Sequence, residues 1–96
     1  MKSRYEIEMT VPLGVRKGTM TFEETHGNVN GTIDILGSTT TFSGKMEDCR
    51  FEISGTLKTK IREIAYTGQG NMEGALIWIQ LKNEKGMYKV TGHKSP

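Results

Sequence analysis

Apolar and polar side chains alternate along most of this chain with a period of two. From Arg4 to Val11, the residues Tyr5, Ile7, Met9 and Val11 share one face, and Arg4, Glu6, Glu8 and Thr10 share the other. Such alternation marks a half-buried β-strand. Pro12-Leu13-Gly14 interrupts it, and a second strand is expected from Gly18 to Thr25 with Met20 and Phe22 inward. One stretch departs from the pattern. Gly74-Ala75-Leu76-Ile77-Trp78-Ile79-Gln80-Leu81 is apolar on both parities and carries the only tryptophan. One face of it can serve the core, and the other needs a separate use.

A one-residue slip flips a whole strand to its other face, so facing pairs select the turns. A turn at Gly27-Asn28 sets Phe22 against Ile33 and Met20 against Ile35. A turn at Gly37-Ser38 sets Ile33 against Phe42 and Val29 against Met46. With Asp48-Cys49 as the turn, Glu47 faces Arg50 and Lys45 faces Glu52, while Met46 meets Phe51 inside. Opposite charges and matched apolar groups across strands each contribute about 0.2–1 kcal/mol. A four-residue loop Thr59–Arg62 places Lys58 against Glu63 and Leu57 against Ile64. A turn at Asn71-Met72 brings Tyr66 to Ile77, and a last turn at Glu84-Lys85 brings Ile79 to Val90. Both neighbours turn Ile77, Ile79 and Leu81 inward. Leu76 and Trp78 are left outward, beside Ala65, Thr67, Thr91 and His93.

The result is eight short strands joined by tight turns, an all-β, antiparallel up-and-down meander. It is expected to close as a small barrel, with a two-layer β-sandwich as the alternative. Closure removes edges, and no strand carries the proline or inward charge that would blunt one. Glycines recur at inward positions (Gly18, Gly31, Gly44, Gly55, Gly68, Gly92), where strands can coil sharply and rings can lie over bare backbone. A chain of 96 residues forms a single domain, residues 1–96. Abundant glycine and threonine with scarce alanine favour strands and turns over helices.

This arrangement, with its aromatic and glycine punctuation, resembles the calycin-like barrels, the lipocalin and fatty-acid-binding group. The likeness is one of architecture. The Gly-x-Trp signature near a lipocalin N-terminus is absent, and Trp78 stands on the seventh strand. The resemblance implies a barrel interior able to take a small apolar ligand. It carries over no binding residue.

Composition narrows the chemistry. Thirteen basic and eleven acidic side chains give a net charge of +2, too balanced to point to nucleic acid or an anionic membrane. Lys58, Lys60 and Arg62 cluster around one loop, but the aromatics face inward except Trp78, so base stacking has no platform there. The lone Cys49 fits a reducing compartment, and the charged opening residues lack a signal core, so a cytoplasmic location is expected. His26, Cys49 and His93 share no metal-ligand spacing. The expected interior holds no charge, and its hydroxyls belong to Tyr5, Tyr66, Tyr88 and Thr40. No catalytic, cofactor or metal residues are expected, and the protein is read as a non-enzyme.

Two functional expectations follow. One is association, most simply a homodimer, through an outward apolar face formed by Trp78, Leu76, Ala65 and Leu36. The other is binding of a small apolar ligand inside the barrel, lined by Phe22, Phe42, Tyr66 and Tyr88.

Overall fold

A computed structural model describes residues 2–12 and 14–95. Its elements are β1 (Lys2–Val11), β2 (Gly14–Thr25), β3 (Asn28–Ile35), β4 (Ser38–Glu47), β5 (Arg50–Lys58), β6 (Glu63–Glu73), β7 (Leu76–Asn83) and β8 (Gly86–Lys94). Each strand pairs antiparallel with the next, and β8 returns to β1, giving a closed barrel rather than a sandwich. The closing seam runs from Tyr5 opposite Lys94 to Thr10 opposite Lys89. Every strand therefore has a partner on both sides, which satisfies the backbone groups an open edge would leave unpaired.

Three hairpins adopt the expected registers. Glu47 faces Arg50 and Lys45 faces Glu52 across the Asp48-Cys49 turn. Lys58 faces Glu63, their charged ends 3.4 Å apart. Leu81 faces Tyr88, and Ile79 faces Val90.

Three other hairpins turn elsewhere. The β2–β3 turn is His26-Gly27 rather than Gly27-Asn28, so Phe22 meets Gly31 and Met20 meets Ile33. The β3–β4 turn is Leu36-Gly37 rather than Gly37-Ser38, so Ile33 meets Thr40 and Gly31 meets Phe42. The reason is backbone twist. Two-residue hairpins favour turns with φ above zero at both central residues, and glycine suits the second of them. Here φ is 52° and 82° at His26 and Gly27, and 59° and 83° at Leu36 and Gly37. The β6–β7 turn is Gly74-Ala75 rather than Asn71-Met72, with Gly74 at φ 61° in the first central position. Met72 consequently lies in the core opposite Ile77, in place of the expected Tyr66. The second strand also starts earlier than Gly18, at Gly14 opposite Val11. All three turn changes slide a strand by an even number of positions, so no side chain changes face.

The core follows from that conserved parity. Tyr5, Ile7, Met20, Phe22, Ile77 and Val90 are each at most 1% exposed. Phe22 sits at the centre, its ring centroid 5.8 Å from that of Phe42 and 5.0 Å from that of Phe51. Large inward residues are flanked by glycine on neighbouring strands. Phe42 lies opposite Gly31 and Gly55, and Phe51 opposite Gly70. The fit is tight: a Cβ added at Gly31 would come within 2.9 Å of Phe42 Cζ, and one at Gly70 within 2.6 Å of Phe51 Cζ. Alternating large and absent side chains is how a narrow barrel fills its interior without overpacking. Apart from Ala65, the outward positions of these strands carry charged, hydroxyl or amide side chains.

Candidate functional site

The outer face around Trp78 is the candidate site. Trp78 stands on β7 between Asn71 of β6 and Thr91 of β8, and is 41% exposed. Leu76, two residues earlier on the same face, lies between Glu73 and His93 and is 49% exposed. The expected patch is regrouped by the β6–β7 register. Ala65 would have faced Trp78 had the turn been at Asn71-Met72. It keeps Thr56 of β5 on its other side but lies six positions along β6 from Trp78's partner Asn71, about 20 Å at the strand rise. Leu36 occupies the β3–β4 turn, half-buried against the core. Leu76 and Trp78 therefore stay together, while Ala65 and Leu36 are remote from them.

A broad, open groove lies beside Trp78 instead. It runs over the outside of the sheet from the end of β4 to β8, with Gly70, Asn71, Gln69 and Gln80 among its lining residues. Its charged rim comprises Lys45, Arg50 and Lys89 with Glu47, Asp48 and Glu52, so both signs are equally represented. Part of that rim is tied down: Glu52 Oε1 accepts a hydrogen bond from Gln69 Nε2 at 3.4 Å, and Lys45 donates to Asn28 Oδ1. A shallower concavity continues it over Ser54, Thr67, Lys82 and Met87.

The interior presents different chemistry at its two ends. Near the chain termini, Ser3, Tyr5 and Met72 are buried, and the Tyr5 hydroxyl donates to Met72 Sδ at 3.7 Å. Burial raises the Tyr5 phenol above its usual range, partly offset by a hydrogen bond with Ser3. At the other end Val11, Leu36, Ile64 and Tyr88 are only partly buried against the core. Beneath them, the Tyr66 hydroxyl and Thr40 Oγ1 are buried with no hydrogen-bond partner among the described residues. Burial pushes the Tyr66 phenol up to about 12. Of the four expected lining residues, Phe22 and Phe42 are packed against one another in mid-barrel, Tyr66 is buried, and Tyr88 is half-buried at this second end.

A phenol whose folded pKa lies above its unfolded value of 10.0 stabilises the fold below pH 10, and that contribution is lost as pH rises towards 12. An unpartnered buried hydroxyl also costs about 1 kcal/mol relative to a well-packed apolar group. Tyr66→Phe is therefore expected to raise the thermal midpoint at neutral pH by a few degrees. The gain should widen above pH 10, where only the wild-type chain loses stability through this residue. Melting curves at pH 7 and pH 11 check it, and a lower midpoint at pH 7 would mean that the hydroxyl is satisfied in solution.

Among the described residues, no three of His, Cys, Asp and Glu converge to hold a metal ion. Cys49 is exposed in the β4–β5 turn. His93 Nε2 lies 3.6 Å from Glu6 Oε2 on the exposed surface, remote from His26 in the β2–β3 turn. No described helix is present that is long and apolar enough to cross a membrane.

The class that fold and surface define is a closed, eight-stranded, up-and-down β-barrel with an apolar core and a grooved polar exterior. No protein-family model, curated protein or solved structure matches the chain.

Proposed function

We propose that this barrel is a non-enzymatic association module in which two copies meet through the groove beside Trp78. The observation that carries this reading is a large aromatic left 41% exposed next to a groove whose rim holds three cations and three anions. A two-fold contact brings each surface against itself, so a rim of balanced charge can pair plus with minus across the axis. Trp78 would supply the central anchor, with Leu76 beside it; tryptophan is one of the three residue types enriched in that role. The barrel architecture is compatible with a calycin-like ancestry, and the exposed Cys49 suits a reducing, cytoplasmic setting.

Trp78→Ala should leave the fold intact, because the side chain is outside the core. It should weaken self-association at least about thirtyfold, the equivalent of a 2 kcal/mol anchor. Light scattering coupled to size exclusion at micromolar concentration reads both. A wild-type chain that elutes as a monomer, or a dimer indifferent to Trp78→Ala, overturns the reading.

A second reading is favoured by the unpartnered Tyr66 and Thr40 hydroxyls. It places a small, mostly apolar ligand with one hydrogen-bonding group at the Val11, Leu36, Ile64 and Tyr88 end of the barrel. Native mass spectrometry of the protein as purified tests it: a co-purifying small molecule lost on Tyr66→Phe supports it, and an unliganded mass counts against it.

A further inference from the structure

Barrel closure collects four connections at one end: β1–β2, β3–β4, β5–β6 and β7–β8. It also sorts the charge. In the half of each strand nearest those connections, and in the connections themselves, lie eight of the thirteen basic side chains. Only four of the eleven acidic ones join them, namely Glu8, Asp34, Glu63 and Glu84. That end carries a side-chain charge of +4 and the opposite end −2. The even overall balance of the sequence conceals a polar molecule.

The same end displays apolar side chains. Ile61 is 89% exposed, and Val15 and Met87 are 50% and 58% exposed. Ile61 is held there by a built loop. Thr59 N–H donates to the Arg62 carbonyl at 2.9 Å, and Thr59 Oγ1 accepts from the backbone N–H of Ile61 at 3.4 Å and of Arg62 at 3.2 Å. The loop thus presents an aliphatic tip between two cations, Lys60 and Arg62. Neither of these has an ion-pair partner among the described residues, whereas the neighbouring Lys58 is engaged by Glu63.

We propose that this basic end docks on an anionic lipid surface, with Ile61 entering the headgroup boundary and Lys60 and Arg62 meeting lipid phosphates. The distribution of the apolar groups favours a bilayer over a protein partner. Protein interfaces centre on a contiguous, well-packed apolar patch ringed by polar groups. Here single aliphatic side chains on β2, β8 and the β5–β6 loop are separated by cations. A lipid interface accepts that pattern, because each tip inserts independently and each nearby cation adds attraction to the charged headgroups. The docking end does not include Trp78 or Leu76, so it is compatible with self-association.

The test is co-sedimentation of the full chain with phosphatidylcholine vesicles, with and without about one third phosphatidylserine. Expected is binding to the anionic vesicles only, weakening steeply with salt. Ile61→Ser should weaken it about tenfold, and the pair Lys60→Glu with Arg62→Glu should abolish it. Trp78→Ala should retain it. All these side chains are on the surface, and circular dichroism confirms that the variants fold. The proposal is overturned if the wild-type chain stays in the supernatant, if it binds neutral vesicles equally, or if Ile61→Ser binds unchanged. Capture by immobilised polyglutamate without vesicle binding would likewise overturn it, assigning the end to an acidic polypeptide.

Discussion

Gly44→Ala is expected to cost about 4 kcal/mol, lowering the thermal midpoint by about 20 °C in a domain of this size. Gly44 faces inward on β4 between Val29 and Ile53, and a Cβ there would overlap the Glu52 carbonyl oxygen and crowd Ile53 Cα, 2.7 Å away. These are backbone atoms held in the β4–β5 ladder, so they cannot swing aside as a side-chain end could. The strand must unbend, and the closed barrel has no free edge through which to relax. Domains of this kind have about 5–15 kcal/mol in total, so the variant should sit near the edge of folding at 37 °C. Gly37→Ala is the informative comparison. Its φ of 83° disfavours any Cβ, but nothing lies within 4 Å of the added atom. Its cost should stay near 1 kcal/mol. Thermal melts of the two variants side by side decide the matter; similar losses would show that local backbone conformation, and not strand contact, governs the inward glycines.

Phe22→Ala is expected to be comparably severe, at about 3–5 kcal/mol. Phe22 is 1% exposed and makes ring contacts with both Phe42 and Phe51. Its removal deletes two aromatic pairs along with the buried area, and neighbours fixed to a closed sheet can collapse only partly into the space. Urea denaturation should show a lower midpoint with an unchanged slope, since the surface exposed on unfolding hardly alters. A loss under 1 kcal/mol would indicate a loosely filled interior with room for the ring's neighbours to move. Ile61→Ser, by contrast, should fall within about 0.5 kcal/mol of wild type, because that side chain has almost nothing to lose on the surface.

The readable and unreadable parts of the sequence separate along one line. The Asp48-Cys49 register was legible because cross-strand charges select it: Glu47 with Arg50, Lys45 with Glu52. The β2–β3 and β3–β4 registers lacked such pairs. Sliding either by two positions keeps every inward residue inward, and it gives Phe22 and Phe42 the partner Gly31 in place of Ile33 without penalty on the alternation. What decided them was the demand for positive φ at two adjacent turn residues, met by His26-Gly27 and Leu36-Gly37. The β6–β7 register slid by six positions through the other favoured hairpin turn, which needs positive φ only at its first central residue, here Gly74.

The candidate sites inherit this division. That Trp78 points outward could be read from the alternation of Ile77 and Ile79. Its β8 neighbour Thr91 could be read as well, because the Glu84-Lys85 turn is the one formed, whereas Asn71 in place of Ala65 on the β6 side could not, because that neighbour's identity depends on the β6–β7 register. The Lys58, Lys60 and Arg62 cluster was visible as three charges on one loop. Its meaning as part of a basic end required knowing that the other three connections meet it there.

The sequence by itself determined eight strands, the face each residue takes, and a core of apolar side chains interleaved with glycine. A period of two carries that information and survives any even slip. Tertiary structure alone decided how far β3 slides on β2, β4 on β3 and β7 on β6, the seam that joins β1 to β8, and with them the groove beside Trp78 and the segregation of charge between the two ends. Alternation assigns a side chain to inside or outside but is blind to height along the barrel axis. Height is set by turn geometry and by the stagger that closure imposes on all eight strands together.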